Sequence, residues 1–340
     1  MVSLLKGAGE VQASTLSIRL ESPEEAEQFM KRNDPIEYFL DQGEVDTARR
    51  IALNQVTPAL FADFLHFIYE TLSCLERRKF VVAFALLRKP MQQNLLFASW
   101  MLADEAAFFE DLRRSPAVHM EVHKFPADKR VQIFHTALSK VEHYGFLDAS
   151  LINEIIYNKE LPKGFAHLFA KANHLVTSRG QLARTESMNL NFIFKNPTDN
   201  DVYESIYLGL SYLLWYALLI QIALFSRMRA VEDSFTRWMT ITTMATFDAL
   251  FVTGSSHLAT VLSKALGKFM NCPHCKKKVS IGRKATGRFF LTQRVRCKNC
   301  KNEYDFPLFW LLSQVDWSVK SYESENDRAR LRGLFREPVA

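Results

Sequence analysis

Four of the chain's five cysteines fall in two tight pairs, "CPHC" at 272–275 and "CKNC" at 297–300. The spacing is C-x2-C-x21-C-x2-C. Each pair can wrap one turn around a metal edge. Two such turns supply four thiolate corners, the donor set that suits tetrahedral zinc. Pro273 restricts the first turn. The apolar run at residues 2–5 is too short for the core of a secretory signal. The expected setting is therefore the reducing cytoplasm, where paired cysteines bind metal rather than each other. Cys272, Cys275, Cys297 and Cys300 are the predicted ligands of a structural Zn2+, with no corner left for a catalytic water. An iron–sulfur centre or a disulfide pair is the alternative. His274 lies inside the first pair but is read as a bystander, because four sulfurs suffice. Cys74, in "ETLSCLERR", is read as a small core residue.

Between the pairs, "KVSI" (278–281) and "RFFLTQRV" (288–295) look like strands around a Gly-bearing turn, "GRKATG", and "EYDFPLFWL" can add a third strand. On these residues the segment from about 269 to 310 resembles the zinc-ribbon family, two cysteine knuckles joined by a β-hairpin. The resemblance implies a module that contacts nucleic acid or protein.

Charge sharpens that expectation. The chain carries a formal net charge of +6, yet residues 271–301 hold ten basic side chains and no acidic one. The remainder of the chain is therefore net acidic. Lys276, Lys277, Lys278, Arg283, Lys284, Arg288, Arg294 and Arg296 are the candidate nucleic-acid contacts, with Lys298 and Lys301 beside them. Phe289 and Phe290 lie among them. As strand neighbours they would point to opposite faces, leaving one ring to stack on a base. Docking on the acidic body, or on a protein partner, is the competing use of the same surface.

The rest reads as a mainly α body over 1–268, the four-cysteine segment over 269–312, and a charged tail over 313–340, read as a solvated helix. Gly (12) and Pro (11) are scarce beside 27 Phe, which favours long helices. "SPEE" (22–25) and "DPIE" (34–37) are capping signatures with Pro at the first helical position, and Gly43 can end the second helix. From 45 to 78, Leu60, Phe64, Phe67 and Leu72 mark an apolar stripe. "FVVAFALLRKPMQQNLLFASWML" (80–102) predicts two helices, or one kinked at Pro90. Further helices are expected near 104–113, 127–143, 148–157, 163–175 and 229–266, with a break at 254–257.

Residues 206–225 form twenty uncharged positions, long enough to cross a bilayer. Arg227 and Arg229 follow them, and Gln221 with three tyrosines lies within. The stretch is read as a buried central helix, so a membrane partner is not expected.

Catalytic signals are sparse. "RVQIFH" (Arg130, His135) and "RRSPAVH" (Arg113, Arg114, His119) fit the Arg-x4–6-His pattern and so resemble HEPN-class RNases. They depart from it at Val131, where a polar residue is usual, and at Pro116. "LLRKP" also resembles HEPN-like and abortive-infection proteins of bacteria, without carrying over any residue role. Arg88, in an apolar run, is expected to pair with Glu105 or Glu186, or to line a polar pocket. "NHLVTSRGQLARTE" gathers His174, Arg179, Arg184 and Glu186 in a surface polar cluster. No P-loop, dinucleotide fingerprint or nucleophile elbow occurs. The expected function is non-enzymatic nucleic-acid binding, with a HEPN-like RNase or a protein-interaction scaffold as alternatives.

Overall fold

In the computed structural model, residues 1–32, 34–142, 146–191, 200–251, 260, 264–314 and 325–337 are described. The break expected at 254–257, and most of the loop expected at 189–201, lie outside them. The fold is mainly α, with one two-stranded antiparallel sheet near the C-terminus. The chain divides into two compact units. One comprises Met1–Val141, Ala149–Asp199 and Ile220–Ala230; the other comprises Glu142–Asp148, Asn200–Leu219 and Val231–Ala340.

The helix starts of the first unit follow their caps. Ser22 accepts from the Glu25 N–H at 3.1 Å, opening the helix Pro23–Arg32. Asp34 accepts from the Ile36 and Glu37 N–H groups at Pro35–Asp41. Gly43, at φ +79, closes that helix. Its N–H reaches the Leu40 carbonyl, and the Glu44 N–H reaches the Phe39 carbonyl, so the last carbonyls are satisfied. Tyr38 and Phe39 then pack with Ala48, Ile51 and Phe109.

The long helix Val45–Glu76 buries Phe61, Phe64, Ile68, Thr71 and Leu75. This stripe differs from the expected one. Leu72 is 42% exposed, because the apolar residues around it allow two adjacent faces and packing selects the one through Phe61.

The segment from Phe80 to Ala103 is one helical run, interrupted by a π turn at Pro90–Asn94. The kinked reading is the one observed. Pro90 has no N–H to give, and the Leu95 N–H returns to the Pro90 carbonyl, which widens the turn. Neighbours take up the loosened groups. The Tyr157 hydroxyl donates to the Gln92 carbonyl at 2.7 Å, and Asn94 donates to Asp63 at 2.7 Å. Desolvation alone would raise the Asp63 carboxyl, but hydrogen bonds from Lys89 and Asn94 hold it below its ordinary value.

His167, on the helix Ala166–Asn173, is 8% exposed, and its Nδ1 has no partner among the described residues. Burial, with Lys171 nearby, pushes it down to about 4. The sign of the consequence follows. The unfolded imidazole takes a proton near pH 6.5 while the folded one resists until about 4. Stability conferred by the neutral ring is therefore complete above about pH 6.5 and is lost as pH falls toward 4. The loss approaches about 3 kcal/mol. In melts of wild type and His167→Gln between pH 7 and 4, the variant should show the shallower decline. Parallel curves would refute this.

The helix Asp201–Met228 has the length and composition of a membrane span, as does Val45–Glu76, yet 83% of its most apolar window is buried. Its last turns belong to the first unit. There Phe225 packs on Phe61, and Arg227 donates to the Met101 and Leu102 carbonyls while pairing with Glu105. In the second unit, Tyr212 donates to the Phe146 carbonyl and accepts from the Asp148 N–H, and Trp215 packs on Phe247.

The tail helix Glu325–Arg336 forms as expected, but it is not solvated all round. Leu331 and Phe335, four residues apart, are buried, and Phe335 meets Tyr212 edge-on.

Candidate metal centre

The four predicted ligands converge. The sulfurs of Cys272, Cys275, Cys297 and Cys300 all lie within 4.8 Å of one another, a group that can hold a metal ion. Cys272 and Cys300 are 3.5 Å apart, and Cys275 and Cys297 are 3.7 Å apart. Both separations far exceed the ~2.05 Å of a disulfide, so the disulfide alternative fails. His274 is exposed and outside the group. Cys74 is half-buried on the helix Val45–Glu76.

Both pairs are built alike. In the first, the Lys276 N–H reaches the Cys272 carbonyl at 2.9 Å, and the Cys272 N–H reaches the Lys277 carbonyl at 3.0 Å. In the second, the Lys301 N–H reaches the Cys297 carbonyl at 2.9 Å, and the Cys297 N–H reaches the Asn302 carbonyl at 2.9 Å. The residue after each pair is left-handed, Lys276 at φ 59 and Lys301 at φ 63. The first turn is closed by a bridge between Asn271 and Lys278. The second forms the tip of the hairpin made by Arg294–Arg296 and Glu303–Asp305.

These turns aim backbone donors at sulfur. The Lys277 N–H, foremost, lowers the Cys275 thiol to about 6, and the Cys300 N–H leads the lowering of Cys297. The Asn302 N–H acts to lower Cys300 too, but desolvation and the neighbouring sulfurs outweigh it and push that thiol up to about 12. Four thiolates cannot coexist at this spacing without a cation among them.

Between the pairs the structure departs from expectation. The segment read as turn and strand is a helix, Arg283–Thr292. Thr286, Phe289 and Phe290 fall on one helical face and are buried, and the helix packs along Asp233–Phe251. Gly287 permits the close approach, since a Cβ there would meet the Leu250 side chain at 2.9 Å. Gln293, left-handed at φ 56, ends the helix, and its carbonyl accepts from the Phe306 N–H. The expected role of the phenylalanines falls with the strand. Phe289 is 1% and Phe290 4% exposed, so neither ring is free to stack on a base. The exposed aromatic residues described in this region include Phe269 and Trp310, at 63% and 60%, and Phe309.

The predicted cations are mostly solvent-facing. Lys276, Lys277, Lys278, Arg288, Arg294, Arg296, Lys298 and Lys301 are exposed. Arg288 pairs with Glu303, and Arg294 pairs with Asp305 at 3.1 Å. Lys277 donates to Asn299 at 3.0 Å, and Arg296 donates to the Lys301 carbonyl. The side chains of Arg283 and Lys284 lie outside the described part, though their backbones form the first helical turn.

The arginines of the Arg-x4–6-His candidates are engaged by other partners, and the histidines face solvent. Arg130 donates to Asn153 and to the Phe125 carbonyl, with its guanidinium 4.0 Å from the Tyr157 ring centroid. His135 is exposed. Arg113 and Arg114 both reach Glu110, and His119 is exposed beyond Pro116.

Arg88 does not pair with Glu105, whose carboxylate is taken by Arg49 and Arg227. It donates to Gln92 and lines a cleft with His174 and Arg179. Arg184 and Glu186 are exposed and do not line it. The second expectation for Arg88, that it lines a polar pocket, is the one observed; its meeting with residues some ninety positions later was not readable from spacing. An arginine in an apolar run was the signal of the pocket.

No family model matches the chain, and no curated protein or solved structure does either.

Proposed function

We propose that the four-cysteine segment is a zinc-held module that binds nucleic acid through its basic surface. Support for zinc comes from the donor set and its spacing. Four sulfurs at about 2.3 Å from one ion stand about 3.8 Å apart in a tetrahedron, close to the 3.5 and 3.7 Å found for Cys272–Cys300 and Cys275–Cys297. Bound zinc would offset half of the four thiolate charges and lock the two turns together; Cys272, Cys275, Cys297 and Cys300 would hold it. The knuckles keep their likeness to the zinc ribbon, whereas a helix stands in place of the joining hairpin.

The observation that carries the nucleic-acid reading is the charge on these turns. Lys276, Lys277, Lys278, Arg296, Lys298 and Lys301 are exposed and pair with no carboxylate among the described residues. Lys276 and Lys301 add a second argument. A left-handed backbone favours glycine and costs a β-carbon about 1 kcal/mol. Lysine occupies both equivalent positions, where it projects charge from each turn.

That strain makes a clean experiment. Lys276→Gly with Lys301→Gly should leave the melting temperature level or slightly higher, because glycine suits the backbone. Binding to duplex DNA and to single-stranded RNA is then followed by anisotropy across a salt series. Wild type should show a log–log slope of about −5 on duplex, near six phosphate contacts, and the double variant about −3.5. Binding that is absent, or indifferent to salt, would remove the proposal.

A further inference from the structure

The cleft beside Arg88 lies within the first unit and is independent of the metal segment. It encloses about 350 Å³. Arg88, Lys159, His174 and Arg179 line it, and no lining residue is acidic. Arg88 donates to the neutral Gln92 at 3.2 Å; Lys159 and Arg179 make no ion pair among the described residues. The neighbouring Glu160 carboxylate accepts the Gln181 N–H at 2.8 Å and does not line the space.

The wall carrying His174 and Arg179 is held in shape. Asn191 donates to the His174 carbonyl and to the Thr177 hydroxyl and accepts from Thr185, while the Thr177 and Thr185 backbones bond across the loop. Gly180, at φ +90, sits where a Cβ would meet the Lys159 side chain at 3.1 Å. Glycine thus lets the Arg179 segment close onto Lys159. Like charges gathered without a counter-charge repel, and an anion placed among them removes that repulsion. Ala166, Ala170 and Phe169 line the apolar side, and Val176 at the edge is 65% exposed. Ser178 adds a hydroxyl.

We infer that this cleft binds a small organic phosphate ester of mononucleotide size. Arg88, Lys159 and Arg179 take the phosphate, and the apolar side takes the body of the molecule. Arginine presents a planar fork that meets phosphate in two hydrogen bonds, and a fixed pair of such groups selects it over monovalent anions.

The test uses the full chain and calorimetric titration with the four common ribonucleoside 5′-monophosphates, their nucleosides and inorganic phosphate. At least one monophosphate should bind at least tenfold more tightly than its nucleoside and than inorganic phosphate. Arg88→Ala and Arg179→Ala, both at exposed side chains, should each weaken it about tenfold with the unliganded melting temperature unchanged. Lys276→Gly with Lys301→Gly should leave it alone, which separates this site from the basic module. Three results overturn the inference: no monophosphate binds at millimolar concentration, the arginine variants bind as wild type does, or inorganic phosphate binds as tightly as the best monophosphate.

Discussion

Removing the proposed zinc should unfold the two cysteine turns, around 271–278 and 294–305, and spare the helices of the first unit. The reason is the scarcity of other support for those turns; the helix Arg283–Thr292 between them has its own packing through Phe289 and Phe290. Each strand of the hairpin there has three residues, and an isolated two-stranded hairpin is marginal in water. Metal binding by four thiolates is worth on the order of 10 kcal/mol, far more than those few hydrogen bonds. Purified protein should carry one zinc per chain by elemental analysis. A strong chelator, or Cys297→Ser, should open the turns at Lys276–Lys278 and Arg294–Lys301 to trypsin while Val45–Glu76 resists. Acidification should release the metal as the thiolates take up protons. A preparation grown with ample zinc that carries no metal, or a protease pattern that the chelator leaves unchanged, would sink the metal reading and the rigid basic surface with it.

The second large effect concerns the helix between the knuckles. Phe289→Ala and Phe290→Ala should each destabilise the second unit by about 3–5 kcal/mol, the usual loss for a buried ring. Phe289 meets both Phe290 and Phe306, at centroid distances of 5.2 and 5.5 Å. The paired outcome is the informative one. On a strand, consecutive residues face opposite ways, so one substitution would be nearly silent. On the helix both rings are buried and both substitutions cost stability. Denaturant melts of the zinc-loaded protein decide the matter, and a wild-type melt for either variant would contradict the helical packing.

Legibility in the sequence followed the range of the interactions. The helix starts at Ser22 and Asp34 were readable because a cap is a contact between a side chain and an N–H two or three residues on. The kink at Pro90 was readable because a missing donor is a property of one residue, though the π turn that absorbs it depends on Asp63 and Tyr157 from elsewhere. The stripe on Val45–Glu76 came out one face away, since the pattern admitted two faces and the partner helices chose.

The two cysteine turns lie at the local end of that scale. Two residues between cysteines leave each pair little choice but a tight turn, so the sequence alone determined Cys272, Cys275, Cys297 and Cys300 as one site. It also determined the basic character of that site, because charge is counted without knowing the fold. The tertiary structure alone decided the state of 283–292. "ATGRFFLT" suits a strand by composition and a helix by spacing, and the apolar face of Asp233–Phe251 rewards the arrangement that buries Phe289 and Phe290 together. It alone brought Arg88 to Lys159 and Arg179 as well. No local rule links residues so far apart, and only the burial of the helices between them sets their distance.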